Sequence, residues 1–215
     1  MIARFSAGLG TLPPVAERLP AEPMVVKPYK DIGRYGGTWP LSMASASDIS
    51  SLVRTIGYEN FTRWKTWSPD VPQKDIVPDV EMNVARSVDI GEGGKVYTFH
   101  LRPGMKWSDG HPFTADDVVF SIEDCAKNSE LYGSVPSQLT IAGKPVVVSK
   151  VDDATVKFTF AAPYATYLET LATPLGQHPT LFAKHYASQF HPKYNDKVDD
   201  LVKQGKIRYA GCSNN

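Results

Sequence analysis

Cysteine is scarce: Cys125 and Cys212 are the only two in 215 residues. Two cysteines make neither a disulfide framework nor a zinc site by spacing, and they leave the redox compartment undecided. Net charge is absent as well, with 23 acidic against 23 basic side chains. A nucleic-acid binder needs a basic face, and attraction to an anionic membrane needs basic clusters, so this balance argues against both partners. No apolar run approaches the roughly 18 residues of a membrane span. The opening MIARFSAGLGTLPPV is a poor signal peptide, because Ser6, Gly8 and Gly10 break its apolar run and Pro13-Pro14 end it. Either the protein is cytosolic or its export signal is missing from this chain. Internal repeats and low-complexity tracts are also lacking.

What is present suits a folded chain. Hydrophobic residues make up 42% and charged residues 21%, a globular rather than a disordered balance. The 17 prolines and 16 glycines predict many loops and few long helices. Residues 1–35 are rich in proline and charge and show no helical or strand period. They read as an extended arm laid over a surface, with Met24–Val26 its most buried part. Gly36-Gly37 opens a short strand, Thr38–Met43. After ASASD, with Ser47 or Asp48 as cap, SSLVRTIGYENFTRW reads as a helix whose Leu52, Ile56, Phe61 and Trp64 form one apolar side.

From Val77 the pattern turns to strands. NVARSVDI and KVYTFHLR flank GEGG, a hairpin in which glycine supplies positive φ. KPVVVSKV and TVKFTF flank DDA as a second hairpin, with Val156, Phe158 and Phe160 alternating with Thr155, Lys157 and Thr159. Two further helices are expected near Tyr164–Ala172 and Thr180–Phe190. The whole reads as mixed α/β (α+β), built from β-hairpins and short helices.

The stretch MKWSDGHPFTADDVVFSIED, from Met105 to Asp124, is crowded with polar groups of the kinds that do chemistry. Position by position it reads as scaffold. Ser108-Asp109-Gly110 is a turn, Pro112 stops what precedes it, and Thr114 with Asp117 makes a capping-box pattern. Asp116 and Asp117 sit in a first helical turn, where the helix dipole favours negative charge. Val118, Ile122 and Cys125 share the buried face, so Cys125 is expected as a buried thiol. A metal site would need His111 and several carboxylates to converge, and a Ser108–His111–Asp109 triad would need close sequence neighbours to fold onto one another. Neither is expected, and no metal, cofactor or catalytic residue is assigned.

The run VYTFHLRPGMKWSDGHPFTADDVVFSIED resembles the signature segment of the family 5 extracellular solute-binding proteins, the peptide, nickel and oligosaccharide receptors of ABC importers. Tyr97, Thr98, Phe99, Leu101 and Arg102 match the family's strand. Gly104, Trp107, Asp109 and Gly110 match its turn, and Pro112 to Val118 its helix start. GGTWPLSM resembles the first strand, VPDVEMNVARSVDIGEGGK the approach to the hairpin, and SKVDDATVKFTFAAPYATYLETLA the hairpin and helix that follow. Ser87 stands where the family has Trp. The resemblance runs from about Met24 to Asp200.

It implies the N-terminal lobe of a two-lobed periplasmic-binding-protein clamshell that closes over a solute and docks on a membrane permease. The implied function is capture of an oligopeptide or oligosaccharide for an ABC importer, outside the cell or in the periplasm, with no enzymatic activity. Family members are more than twice as long as this chain, so a partial or truncated receptor is expected. The implied layout is an arm over 1–35, a partial solute-binding domain over 36–200 and an atypical tail over 201–215.

The turn after the first strand supplies the candidate ligand contacts: Met43, Ser45, Ser47 and Asp48, with Trp39 beside them. Small side chains there admit a ligand to backbone amides, and hydroxyls can donate or accept. Asp48 could pair with a peptide's amino terminus, while Trp39, Trp64 and Trp67 could stack on sugars or serve the core. The tail GKIRYAGCSNN resembles instead an aldo-keto reductase motif, in which Ser213 and Asn214 would meet a nicotinamide. The rest of the chain lacks the alternating βα pattern of such a barrel, so an NADPH-dependent reductase is the lesser reading. A non-binding scaffold or interaction fragment is the other alternative.

Overall fold

A computed structural model describes residues 15–26, 28, 31–34, 36–38, 40, 42, 44–45, 48, 59–65 and 70–204. Its centre is a four-stranded antiparallel sheet of two hairpins, ordered β3-β4-β8-β7. β3 (Ala85–Gly91) and β4 (Val96–Leu101) form the first hairpin, β7 (Val147–Asp152) and β8 (Thr155–Thr159) the second. Both lie where the alternation placed them. The register pairs Phe99 with Val156 and Tyr97 with Phe158, so the apolar sets of both hairpins share one face. Smaller pairs flank this sheet: β1 (Thr62–Trp64) with β2 (Val80–Met82), and β5 (Thr140–Ile141) with β6 (Lys144–Pro145).

The apolar face carries a cluster of rings. Phe61 meets Phe99 at 5.0 Å between centroids, Tyr97 meets Tyr167 at 5.1 Å and Phe160 meets Tyr167 at 4.7 Å, all edge to face. Each such pair contributes about 0.5–1.5 kcal/mol beyond area burial. Val118 and Ile122, from the helix of the signature segment, close the core from above and are fully buried. The opposite face of the sheet presents Thr98, His100, Lys157 and Thr159, which are half-buried or exposed.

The signature helix begins as α-helix, Ala115–Val119, and continues as a wider π-helical segment, Phe120–Ala126. The wider turn sends three side chains to three different partners. Ser121 donates to the His178 carbonyl, Glu123 accepts the Val148 N–H at 2.6 Å, and Asp124 holds Lys193 at 2.6 Å. Glu123 thereby caps an N–H of the edge strand β7, which would otherwise present unpaired backbone. Cys125 is buried as expected, but it is disulfide-bonded rather than a free thiol.

Several sequence expectations need correction. The arm residues 15–18 form one helical turn, and Val25 and Val26 are 84% and 50% exposed, so Met24–Val26 is not a buried anchor. Glu17 to Glu22 fasten the arm instead. Ala21 donates to the Pro103 carbonyl, Arg102 to the Glu22 carbonyl and Lys106 to the Glu17 carbonyl, each at 3.0 Å. Thr38, Pro40 and Ser42, the described residues of the expected first strand, lie outside any strand. Thr62–Trp64, expected as the end of a helix, is strand β1, because its backbone finds Val80–Met82. Residues 50–58 of that expected helix lie outside the described residues. Trp64 is 40% exposed rather than core, whereas Phe61 is fully buried.

After β8 the chain forms short helices: Tyr167–Leu171, a 3-10 segment Pro174–Thr180, Lys184–Ala187 and Val198–Lys203. The helix expected over Thr180–Phe190 is therefore one α-turn with 3-10 turns around it, since Ala183 is extended and resets the backbone. Side chains near β1 stitch this region down. Asn60 Nδ2 donates to the Thr173 carbonyl and Thr62 Oγ1 to the Leu168 carbonyl, both at 2.7 Å.

Candidate functional site

Of the five candidate contacts, Ser45 and Asp48 lie among the described residues; Trp39, Met43 and Ser47 lie outside them. Asp48 faces backward along the chain. Its Oδ2 accepts the N–H of Ala44 at 2.8 Å and of Ser45 at 3.0 Å, and its own N–H returns to the Ser45 carbonyl at 3.1 Å. The carboxylate thus ties Asp48 back to the amides of Ala44 and Ser45. Ser45 is exposed and Asp48 half-buried. A carboxylate has about four acceptor positions, so two amides leave capacity for a further donor.

The signature segment is a second polar concentration, and its geometry is that of a brace. Trp107 N–H meets the His111 carbonyl at 2.8 Å, Phe113 N–H meets the Met105 carbonyl at 2.9 Å, and Gly110 N–H meets the Trp107 carbonyl at 2.9 Å. Gly110 takes φ of 91°, which a residue with a Cβ rarely adopts. Asp109 Oδ1 accepts the His111 N–H at 3.0 Å, closing the turn. At the helix start, Asp117 Oδ2 accepts the Thr114 N–H at 2.9 Å, the acidic half of a capping box.

Three partners here had no sequence signal, because they come from far along the chain. Asp109 Oδ2 meets His185 Nε2 at 2.6 Å. Asp117 Oδ1 accepts the Lys184 N–H at 2.8 Å. Asp116 holds Lys150 at 2.6 Å and faces Lys184 at 3.6 Å. The His185 hydrogen bond, with that of the His111 amide, holds the Asp109 carboxyl below the usual carboxylate range. Lys150, then Lys184, do the same for Asp116. Among the described residues no group of three His, Cys, Asp or Glu is placed to hold a metal. The His111 ring lies against His185 and its Nδ1 approaches the Pro112 carbonyl at 3.2 Å. No helix among the described residues is long and apolar enough to cross a membrane.

This architecture has close counterparts. Residues 79–206 match the family model "Bacterial extracellular solute-binding proteins, family 5 Middle". The periplasmic alpha-galactoside-binding protein of Rhizobium meliloti is 37% identical over 91% of this chain and 29% of its own length. The solved oligopeptide-binding protein OppA is 35% identical with a TM-score of 0.74, over 93% of this chain and 29% of its own. The binding protein MelB of Agrobacterium fabrum, solved with stachyose, is 30% identical with a TM-score of 0.62, over 95% of this chain and 32% of its own. The chain thus spans under a third of each of these relatives. The matches give no support to an aldo-keto reductase likeness in the tail, and residues 205–215 lie outside the described residues. With a matching family model over more than half its length, the chain belongs to the family 5 bacterial extracellular solute-binding proteins.

Proposed function

We propose that this chain contributes the N-terminal part of the substrate-binding component of an ABC importer. It captures an oligosaccharide or oligopeptide outside the cytoplasm and presents it to a membrane permease, without transforming it. The observation that supports this most is the family match over residues 79–206, joined to relatives named for an alpha-galactoside, for stachyose and for oligopeptides.

The turn around Ser45 and Asp48, with Met43, Ser47 and Trp39, is the proposed ligand contact. The amides of Ala44 and Ser45 are already bonded to the Asp48 carboxylate, so what this turn would offer a ligand is the carboxylate's remaining acceptor capacity rather than those two amides. Trp39 would offer an aromatic face to a sugar ring or an apolar side chain. A carboxylate already holding two amides suits a neutral hydroxyl donor at least as well as an ammonium group, which keeps both solute classes in play.

The test is calorimetric titration of this chain with stachyose, and separately with a pool of short peptides. Saturable heat with either, weakened in Asp48→Ala, supports the reading. An absence of heat with both overturns capture by this segment. NADPH-dependent carbonyl reduction would replace it with an enzyme.

A further inference from the structure

The signature turn is held from two sides. The N-terminal arm grips one side through backbone carbonyls, as Lys106 and Arg102 show. The other side is a cluster of three titratable side chains. Asp109 Oδ2 meets His185 Nε2 at 2.6 Å, and the His111 ring lies parallel to the His185 ring, with centroids 3.8 Å apart and planes 7° apart. His185 is anchored at the start of the helix Lys184–Ala187, whose first N–H is bonded to Asp117.

We propose that Asp109, His111 and His185 form a proton-sensitive clasp between the signature turn and the helix Lys184–Ala187, closed while the stacked rings carry at most one positive charge and loosened when both are charged. The chemistry follows from the contacts. With its proton on Nε2, neutral His185 donates to Asp109. A second proton on His185 must go to Nδ1, which is buried and has no hydrogen-bond partner. The Asp109 carboxylate offsets one positive charge in the pair. A charge on His111 then faces a like charge across van der Waals distance, and the stacking becomes repulsive. His111 Nδ1 is already turned to the Pro112 carbonyl, so added charge on this ring falls at Nε2.

The surrounding charges do not cancel this repulsion. Lys106, on the same turn, is directed to the Glu17 carbonyl. Lys184, beside His185, faces Asp116 at 3.6 Å and the Tyr194 ring at 5.8 Å. Asp117 is committed to the N–H groups of Thr114 and Lys184. Asp109 is therefore the carboxylate bonded to the pair.

Amide hydrogen exchange, corrected for intrinsic chemical rates, tests the clasp at about pH 7.5 and about pH 5, a range that spans histidine protonation. In the native sequence, residues 105–113 and 183–187 should exchange roughly tenfold faster at the lower pH, while β4 holds steady. His111→Asn, which cannot take the charge, should keep its protection at both values. Equal protection of the native turn at both pH values overturns the proposal, as does an acid loss in His111→Asn equal to the native one. Should the variant not fold, exchange in the native protein alone decides the matter: loss of protection in acid confined to residues 105–113 and 183–187 supports the clasp, and protection unchanged there, or lost equally in β4, overturns it.

Discussion

The carboxylate of Asp117 accepts the backbone N–H of Lys184 at 2.8 Å, across 67 residues of chain. Its other oxygen accepts the Thr114 N–H, so one buried side chain starts two helices. Asp117→Ala leaves both amides without this partner and should cost about 2–3 kcal/mol. Urea unfolding monitored by tryptophan fluorescence measures it. A loss below about 0.5 kcal/mol would show that water replaces the carboxylate at both amides.

Tyr167 presents the opposite case. Its ring sits at the centre of the aromatic cluster, and its buried hydroxyl has no hydrogen-bond partner. Burial pushes this hydroxyl's pKa well above the usual phenol value. Tyr167→Phe keeps the ring and removes an unsatisfied group, so stability should stay level or rise by up to about 1 kcal/mol. A drop of the melting temperature by several degrees would contradict this.

Gly176 lies against the end of the helix Tyr167–Leu171. A Cβ built on it would stand 2.3 Å from the Leu171 carbonyl oxygen and 2.3 Å from its Cα. Those are backbone atoms and cannot yield as a flexible side chain would. Gly176→Ala should therefore destabilise the protein by about 1–3 kcal/mol or more, as overpacking does. Thermal unfolding equal to the native protein would mean that the 3-10 segment shifts freely.

Acid should weaken the joint between the signature helix and the β7–β8 hairpin. Lys150 holds the Asp116 carboxyl below its ordinary range, chiefly by a hydrogen bond. A carboxyl whose pKa falls on folding adds stability above its unfolded value and loses it as pH drops through the folded one. The loss should begin as pH falls through the ordinary carboxylate range and continue below it. It should be small, because both partners keep a third or more of their side-chain surface in water. Urea midpoints of the native protein and Asp116→Asn should differ near pH 6 and converge in acid. A difference that persists in acid would count against the pair.

The hairpins were legible because alternation with a period of two residues states both strand and face. Val156, Phe158 and Phe160 are buried as their spacing implied. The capped helix start at Thr114 and Asp117 was equally plain, since a capping pattern needs four adjacent residues and no distant partner. The stretch from Asp48 to Trp64 is legible only in part. Its apolar residues fit a helical period, yet Thr62–Trp64 pairs as a strand, and only the presence of Val80–Met82 alongside reveals that. For the candidate contacts, the turn was found from small residues, but the backward reach of Asp48 to Ala44 and Ser45 was not, because the cap expected at that position looks forward.

The sequence by itself determined the local units and the family. The two hairpins, the turn at Asp109-Gly110 and the capped helix follow from residue spacing and backbone preference, and the order of those units carries the resemblance to a solute receptor. Only the tertiary structure decided which distant groups meet. It set Asp109 and His111 against His185, Asp117 against Lys184, and Glu123 against the open edge of β7. Such contacts depend on where the packing of an aromatic core leaves each helix, and no local pattern in the chain encodes that.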